Sequence, residues 1–211
     1  MNNSKEIKVS VITVVFNGER HLEQTIQSVL SQTYNKLEYI VIDGGSTDGT
    51  LDIIRKYDEQ IDCWISEPDH GIYDAMNKGI LAAHGEWINF MNAGDTFVNK
   101  DTVEKVFSKS GYEAADIIYG NSFKILTNGD IIAIESSEDI SRLAFAPIYR
   151  HNASFVRSSV HKINLFDLSK KKIGYALDFH LINTFYRKGY RFLKIPDYIL
   201  YYLQEGVSYH P

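Results

Sequence analysis

Two acidic residues in this chain each follow a short apolar run and lie next to glycine. Asp43 ends one such run and precedes Gly44 and Gly45, while Asp95 follows a second run and Gly94. In an open α/β sheet, ligands bind outside the carboxyl ends of the parallel strands. Carboxylate oxygens are also the ligands that Mg²⁺ prefers. The two acids therefore predict a site for a nucleotide and a metal-bound diphosphate.

Strand and helix patterns alternate through the first half of the chain. A nearly continuous β-branched run at residues 9–16 is typical of a strand buried on both faces. Residues 19–32 follow with their apolar side chains on one helical stripe. Further strands are predicted at 37–42, 61–65 and 87–91, and further helices at 50–57 and 72–83. This order predicts an α/β fold with a mostly parallel central sheet flanked by helices.

The second half is less regular. A helix is predicted at 101–107, strands at 116–119 and 153–156, a helix at 174–188 and an extended aromatic segment at 190–203. Asn128 and Gly129 lie between two apolar runs, which is a strong signal for a small antiparallel hairpin. We expect a single domain over residues 1–211, in which residues 1–95 bind the nucleotide and residues 96–211 bind the second substrate.

Composition excludes several classes of protein. The net charge of −5 disfavours nucleic acid as a partner, because such proteins need a basic face. The single cysteine, Cys63, excludes an internal disulfide, and we expect it to be a buried strand residue. The polar N-terminus has no signal-peptide core, and no apolar run has the length of a membrane span. We expect a cytoplasmic protein; peripheral attachment at the inner face of the membrane and a homodimer stay open.

Several common catalytic motifs are absent. The first strand–helix junction has no GxGxxG and no GK[ST] loop, which argues against a dinucleotide oxidoreductase and a P-loop kinase. There is no G-x-S-x-G elbow, so a serine hydrolase is not expected.

Four segments, in this order and spacing, resemble the family 2 glycosyltransferases of the GT-A fold. They read VITVVFNGE at 11–19, IDGGSTDGT at 42–50, EPDHGIYDAMNKG at 67–79 and AGD at 93–95. The third segment resembles a subgroup that includes colanic-acid and capsular polysaccharide transferases. The resemblance is strong over residues 7–95 and continues weakly to about residue 208.

The resemblance implies a divalent metal, Mn²⁺ or Mg²⁺, that bridges the donor phosphates as the diphosphate leaves. The family holds this ion with a DxD-like motif, and the chain has Asn92-Ala93-Gly94-Asp95 at that position. Asp95 is the only acid of the four, so the resemblance implies Asp95 as the metal ligand. The alternative is a loop aspartate that caps the next helix.

The resemblance also implies which residues bind the donor nucleotide. Asp43 would accept a hydrogen bond from the imide of the base, and Thr13 and Phe16 would bracket the base. The alternatives are an Asx turn for Asp43 and a helix-dipole acid for Glu19. The full expected set is Thr13, Phe16, Asn17, Glu19, Asp43, Ser46, Asp74 and Lys78.

Asp74, Asn77 and Lys78 are spaced to form one polar helix face. That face either contacts sugar or phosphate, or is simply solvated.

An inverting transfer needs a base that takes the proton of the acceptor hydroxyl. The family's base is an acid near a helix start in the second half, a place that Asp178 occupies here, with Asp167 in reserve. A helix N-terminal acid is the alternative for Asp178. His151 lies in a segment that resembles the subgroup, where it would approach the donor diphosphate or the acceptor; a core histidine is the alternative.

Taken with the resemblance, the sequence predicts an inverting, metal-dependent glycosyltransferase that uses a nucleotide-diphosphate donor, a UDP-sugar. The acceptor would be a glycan or lipid-linked molecule in the biosynthesis of a cell-surface polysaccharide such as capsule. The QxxRW signature of processive synthases is absent, so one sugar per encounter is expected. Two alternatives stay open: a non-catalytic nucleotide-binding or assembly protein on the same fold, and a sugar nucleotidyltransferase.

Overall fold

The computed structural model describes residues 9–170 and 176–204. In this part of the chain, nine strands form one sheet and six α-helices pack on it. The strands are β1 (Val9–Val15), β2 (Leu37–Asp43), β3 (Cys63–Ser66), β4 (Trp87–Phe90), β5 (Thr96–Phe97), β6 (Ile117–Ile125), β7 (Ile131–Ile134), β8 (Ser154–Arg157) and β9 (Phe192–Leu203). The helices are α1 (Leu22–Leu30), α2 (Thr50–Lys56), α3 (Ile72–Ala82), α4 (Thr102–Ser108), α5 (Ser158–Lys162) and α6 (Leu177–Arg187).

The first four strands are parallel, in the order β3-β2-β1-β4. Strand β1 is central, and Val14 pairs with Ile42 of β2 while Ile12 pairs with Phe90 of β4. All seven residues of β1 are buried. A strand covered on both faces needs apolar side chains at every position, which is why the β-branched run predicted it correctly.

The second half extends the same sheet. Strand β8 runs antiparallel between β4 and β6, β9 lies parallel to β6, and β5 and β7 are antiparallel additions. Six of the nine strands in the described residues, β1 to β4, β6 and β9, therefore point the same way. The predicted hairpin is confirmed as β6–β7, with Gly129 at a positive φ of 88° in its turn.

Two apolar clusters cover the two faces of the sheet. Alternate residues of β1 separate between them, Val11 into one and Ile12 into the other. Helices α1, α2 and α4 pack with the Val11 cluster, and α3, α5 and α6 pack with the Ile12 cluster. This two-sided packing confirms the predicted α/β architecture.

Three local predictions need adjustment. Helix α1 begins at Leu22 rather than Glu19, because Glu19 binds the neighbouring loop instead of entering the helix. Cys63 lies on a strand as predicted but is only partly buried, since β3 is an edge strand of the sheet. For the helix predicted at 174–188, the structure gives α6, which begins at Leu177. The first two predicted residues, 174 and 175, lie outside the described part of the chain. Among the described residues, no helix combines the length and the apolar character needed to span a bilayer.

Candidate active site

The carboxyl ends of β1, β2 and β4 meet at one edge of the sheet. Strand β1 lies between the other two, and its last residue, Val15, pairs with Asp43. The loop after β4 stays alongside β1, because the backbone N–H of Ala93 donates to the carbonyl of Val14 at 3.3 Å. Adjacent strands are about 4.8 Å apart, so the ends of β2 and β4 are separated by roughly 10 Å. The two predicted acids thus lie at the same edge.

Asp43 faces into its own turn. Its side chain is fully buried and accepts hydrogen bonds from the backbone N–H of Gly45 (3.2 Å) and Ser46 (3.1 Å) and from the hydroxyl of Ser66 (2.7 Å). The Ser46 hydroxyl also donates to it. Both oxygens are therefore used inside the protein, and the Asx-turn alternative describes this arrangement. The predicted contact with a base would need this turn to open.

The two residues predicted to bracket the base differ in accessibility. Thr13 is fully buried, and its hydroxyl donates to the carbonyl of Met91 at 2.7 Å and lies 3.0 Å from the Tyr39 hydroxyl. Phe16, by contrast, is 58% exposed at the end of β1. An exposed aromatic ring at this edge can stack on a base, whereas Thr13 can only support the floor of the site.

Asn17, Glu19 and Ser46 join the β1–α1 loop to the β2–α2 loop. The backbone N–H of Asn17 donates to the Ser46 hydroxyl at 2.7 Å, and its side-chain oxygen accepts from Thr47 at 2.9 Å. The Glu19 carboxylate accepts from the N–H of Gly49 at 2.8 Å. These side chains hold the two loops in register, which fixes the floor on which a donor would lie.

Asp95 is enclosed by second-half residues. It is 7% exposed, and the Asn152 amide donates to its Oδ2. Burial raises the pKa of the Asp95 carboxyl to about 7, while the Asn152 hydrogen bond and the nearby Arg150 guanidinium act in the opposite direction. Gly94, at φ 100°, allows the tight turn before it.

The donor set at this turn fits a hard divalent cation. The Asn92 Oδ1 is buried and has no hydrogen-bond partner, so an oxygen ligand is available three residues before Asp95. The described residues contain no group of three or more His, Cys, Asp or Glu side chains able to hold a metal. A cation here would thus take Asp95 and Asn92, with phosphate and water oxygens for the rest of its shell.

His151 and Asp178 lie close together on the second-half side. The His151 ring packs on Phe90 and Phe166, with centroids 5.1 and 5.6 Å apart. Burial lowers the pKa of the His151 imidazole, and the neighbouring Asp178 carboxylate opposes that shift. Asp178 is partly exposed near the start of α6, where its Oδ1 accepts from the N–H of Phe179 at 2.7 Å.

The reserve acid lies elsewhere. Asp167 is exposed, accepts from the N–H and hydroxyl of Ser169, and pairs with Lys170 at 3.5 Å. Those contacts, the Ser169 hydroxyl first, lower the pKa of its carboxyl. It lines a cavity of about 190 Å³ whose walls include Lys170 and His180 but neither Asp95 nor His151.

The predicted polar face of α3 is divided. Asn77 is buried and makes two 2.9 Å hydrogen bonds with the backbone of Phe166, so it holds the second half against α3 rather than a ligand. Asp74 accepts from the N–H of His70 at 2.9 Å. Lys78 pairs with Glu67 at 2.7 Å, which raises the pKa of its ammonium group.

Asn92 and Asn152 are site residues that the sequence reasoning missed. Asn92 is the first residue of the Asn92–Asp95 motif, where the DxD-like pattern of the family has an acid. This position in the motif was the sequence feature that could have identified it. Asn152 follows His151 directly, but nothing in its neighbours shows that it reaches Asp95, 57 residues away.

Comparisons with known proteins give the family of the chain. The model of "Glycosyl transferase family 2" matches residues 10–171. The Mycobacterium tuberculosis protein Rv1514c, an uncharacterized glycosyltransferase, is 37% identical over 174 residues, 81% of this chain and 65% of that protein. A PGL/p-HBAD biosynthesis glycosyltransferase of Mycobacterium bovis BCG is 33% identical over 152 residues, 70% of this chain and 58% of that protein. The chain thus spans less than two thirds of these relatives.

Solved structures share the fold. TarS of S. aureus, residues 1–349 in complex with UDP, superposes with a TM-score of 0.76 at 20% identity, covering 93% of this chain and 60% of that one. The mannosyltransferase PcManGT of Pyrobaculum calidifontis, in complex with GDP-Man and Mn²⁺, gives 0.68 at 18% identity, covering 95% and 57%. With its GT-A architecture and a family match over most of its length, the chain belongs to glycosyltransferase family 2.

Proposed function

We propose that this protein is an inverting, metal-dependent glycosyltransferase that moves one sugar from a UDP-sugar to a glycan or lipid-linked acceptor of the cell surface. The observation that carries the proposal is the oxygen pair of Asp95 and Asn92 at the sheet edge that also presents Phe16. A diphosphate beside the pair and a base on Phe16 would together form a donor site. Residues 1–95 supply this site, and residues 96–211 the acceptor surface.

The chain's own residues divide the work of donor binding. Phe16 stacks on the base, and the loops held together by Asn17, Glu19 and Ser46 form the floor beneath the ribose and diphosphate. Asp95 and Asn92 would hold Mn²⁺ or Mg²⁺, which stabilises the charge that develops on the departing diphosphate. Lys78 of α3, which pairs with Glu67 in the loop after β3, would supply a cation to the donor phosphates.

Acceptor activation falls to Asp178. The acceptor oxygen attacks the anomeric carbon as the bond from that carbon to the diphosphate oxygen breaks, and Asp178 takes the hydroxyl proton. Attack on the face opposite the leaving group inverts the anomeric centre. His151 interacts electrostatically with Asp178 and directly precedes Asn152, which binds Asp95, so it would help to position the reacting groups. Asp167 is the reserve candidate for the base, although its lowered pKa makes it a weaker proton acceptor.

Calorimetric titration and turnover test this function together. UDP and UDP-sugars are titrated with and without Mn²⁺ into the native chain, Asp95→Ala and Asp178→Asn, and UDP release is followed with glycan acceptors. Asp95→Ala should lose metal-dependent binding, whereas Asp178→Asn should bind the donor normally and lose transfer. Asp52→Asn, an exposed change on α2, is the matched control.

Two results would contradict the proposal. Normal metal-dependent binding by Asp95→Ala would remove Asp95 as the ligand. Tight nucleotide binding without turnover on any acceptor would favour a non-catalytic nucleotide-binding protein.

A further inference from the structure

Three exposed aliphatic side chains lie on the side of the sheet that α3 and α5 cover. Leu81 of α3 is 60% exposed, and Ile163 and Leu165, which follow α5, are 72% and 36% exposed. Single exposed aliphatic residues are normal on a protein surface, whereas contiguous ones mark a surface that a partner can cover.

Two contacts hold the residues after α5 along α3. The Lys162 ammonium group donates to the carbonyl of Ala83, just after the end of α3, at 2.7 Å. Asn77 makes two 2.9 Å hydrogen bonds with the backbone of Phe166. Leu81 is four residues after Asn77 and therefore lies on the same helix face, between these two contacts. The three aliphatic side chains thus belong to one surface.

Two lysines at this surface carry a charge that no carboxylate neutralises. The Lys162 ammonium group donates to a backbone carbonyl, and that of Lys188 donates to Oδ1 of Asn164, the residue between the two exposed aliphatic residues after α5. Both acceptors are neutral, and neither lysine pairs with a carboxylate of the described residues. The α3–α5 patch is the set Leu81, Ile163, Leu165, Lys162 and Lys188.

The acids around the patch are already engaged. Asp167 pairs with Lys170 at 3.5 Å, and Glu86 pairs with Arg157 at 2.9 Å. Glu38 is buried, and its carboxylate accepts hydrogen bonds from the loop after α3. The patch therefore keeps a local positive charge on a chain whose net charge is −5. Aliphatic groups beside unneutralised lysines complement an anionic lipid surface.

We propose that the α3–α5 patch docks the protein on a membrane surface that carries anionic phospholipid headgroups. Ile163 and the other two aliphatic side chains enter the boundary between headgroups and acyl chains, and Lys162 and Lys188 contact the lipid phosphates beside them. This inference goes beyond the proposed function, because it adds a second surface and leaves the donor site at the carboxyl edge of the sheet unchanged.

A second copy of the chain fits this surface less well than a bilayer does. In a two-fold dimer the patch would face itself and bring four unneutralised ammonium groups together. Three aliphatic side chains also fall short of the roughly 800 Å² per partner that a standard protein interface buries. The patch contains none of the tryptophan, tyrosine or arginine anchors that dominate the energetics of protein interfaces.

Cosedimentation with vesicles tests the inference on the full chain. Vesicles of phosphatidylcholine alone are compared with vesicles of an equal mixture of phosphatidylcholine and phosphatidylglycerol. The native chain should bind the mixed vesicles, and more weakly at higher salt, because salt screens the lysine charges. Ile163→Ser should weaken this binding about 10-fold, which is the effect of burying one aliphatic side chain. Lys162→Gln and Lys188→Gln should each weaken it about fivefold.

Matched variants elsewhere serve as controls. Ile131→Ser removes a similarly exposed aliphatic side chain from β7, and Lys56→Gln removes an exposed lysine from α2, on the opposite side of the sheet. Both should bind the mixed vesicles as the native chain does. Melting curves of all variants should be close to native, because every changed side chain is exposed.

Three results would overturn the inference: no binding of the native chain to the mixed vesicles, equal binding to both kinds of vesicle, or equal losses in the patch and control variants. Dimerisation that Ile163→Ser abolishes, without vesicle binding, would assign the patch to a second copy instead. Metal-dependent UDP binding, measured without vesicles, should be unchanged in the patch variants. Its absence from the native chain would remove the proposed function but not this inference, so the two failures are distinguishable.

Discussion

Replacement of Asp43 by asparagine distinguishes a structural role from a base-binding role. The Asp43 carboxylate accepts from the backbone N–H groups of Gly45 and Ser46 and from the hydroxyls of Ser46 and Ser66. Asparagine keeps one acceptor oxygen and turns an N–H₂ donor toward groups that are themselves donors. A serine hydroxyl can rotate to accept from this N–H₂, but at least one donor would lose its acceptor inside a fully buried site.

The cost follows from that count. Each buried polar group left without a partner costs about 1 to 3 kcal/mol, so Asp43→Asn should lower the free energy of unfolding by at least about 1 to 3 kcal/mol. Domains of this size have a total stability of roughly 5 to 15 kcal/mol and lose about 2 to 4 °C of melting temperature per kcal/mol. The predicted loss is therefore large enough to be measured in a denaturation experiment.

Urea denaturation followed by circular dichroism measures this change, with Asp52→Asn as the exposed control. Nucleotide affinity is then measured well below the transition, where the remaining folded protein should still bind UDP. A variant with native stability and lost UDP affinity would refute the reasoning, because it would show that Asp43 contacts the base and that its internal hydrogen bonds contribute little.

Three further predictions concern the neighbouring residues. Asn152→Leu should weaken Mn²⁺ binding by about 10- to 100-fold in a metal titration, because it removes the donor that orients Asp95; unchanged affinity would contradict this role. Phe16→Ala should leave the stability within about 0.5 kcal/mol, since the ring is exposed, but should cost about 1 to 3 kcal/mol of nucleotide binding by calorimetry; equal affinity would exclude stacking. Without metal, the Asp95 carboxyl has a raised pKa of about 7, so its contribution to stability should fall as the pH rises from about 4 to 7. Asp95→Asn should therefore flatten that part of a pH series of melting curves. A slope identical to that of the native chain would contradict the shift.

The fold was predictable because its signals are local. Strands β1, β2 and β4 are buried almost throughout and appear as apolar runs, and the hairpin is marked by Asn128 and Gly129. The start of α1 was not predictable in the same way. Glu19 has an acceptable helical residue type, but it forms hydrogen bonds with Asp48 and Gly49 of another loop and lies before the helix.

The candidate site was predictable in place but not in detail. The two acids at strand ends lie at one edge of the sheet as expected, since strand direction alone brings Asp43 and Asp95 to one side. How each carboxylate is held depends on contacts between distant residues. Ser66 fills the last position on Asp43, and Asn152 binds Asp95. Neither contact has a periodic or motif signal in the sequence.

The short segment Arg150–Asn152 links the two chemical ends of the site. Asn152 binds the Asp95 carboxylate, and the preceding His151 lies within electrostatic reach of Asp178. In the proposed mechanism, three consecutive residues of one backbone would thus set the separation between the leaving group and the base. The outer surfaces of the second half could then vary to accept a different acceptor without changing this separation. An insertion in this segment would instead misalign the attacking acceptor and the leaving diphosphate, even if the surroundings of Asp95 and of Asp178 were unchanged.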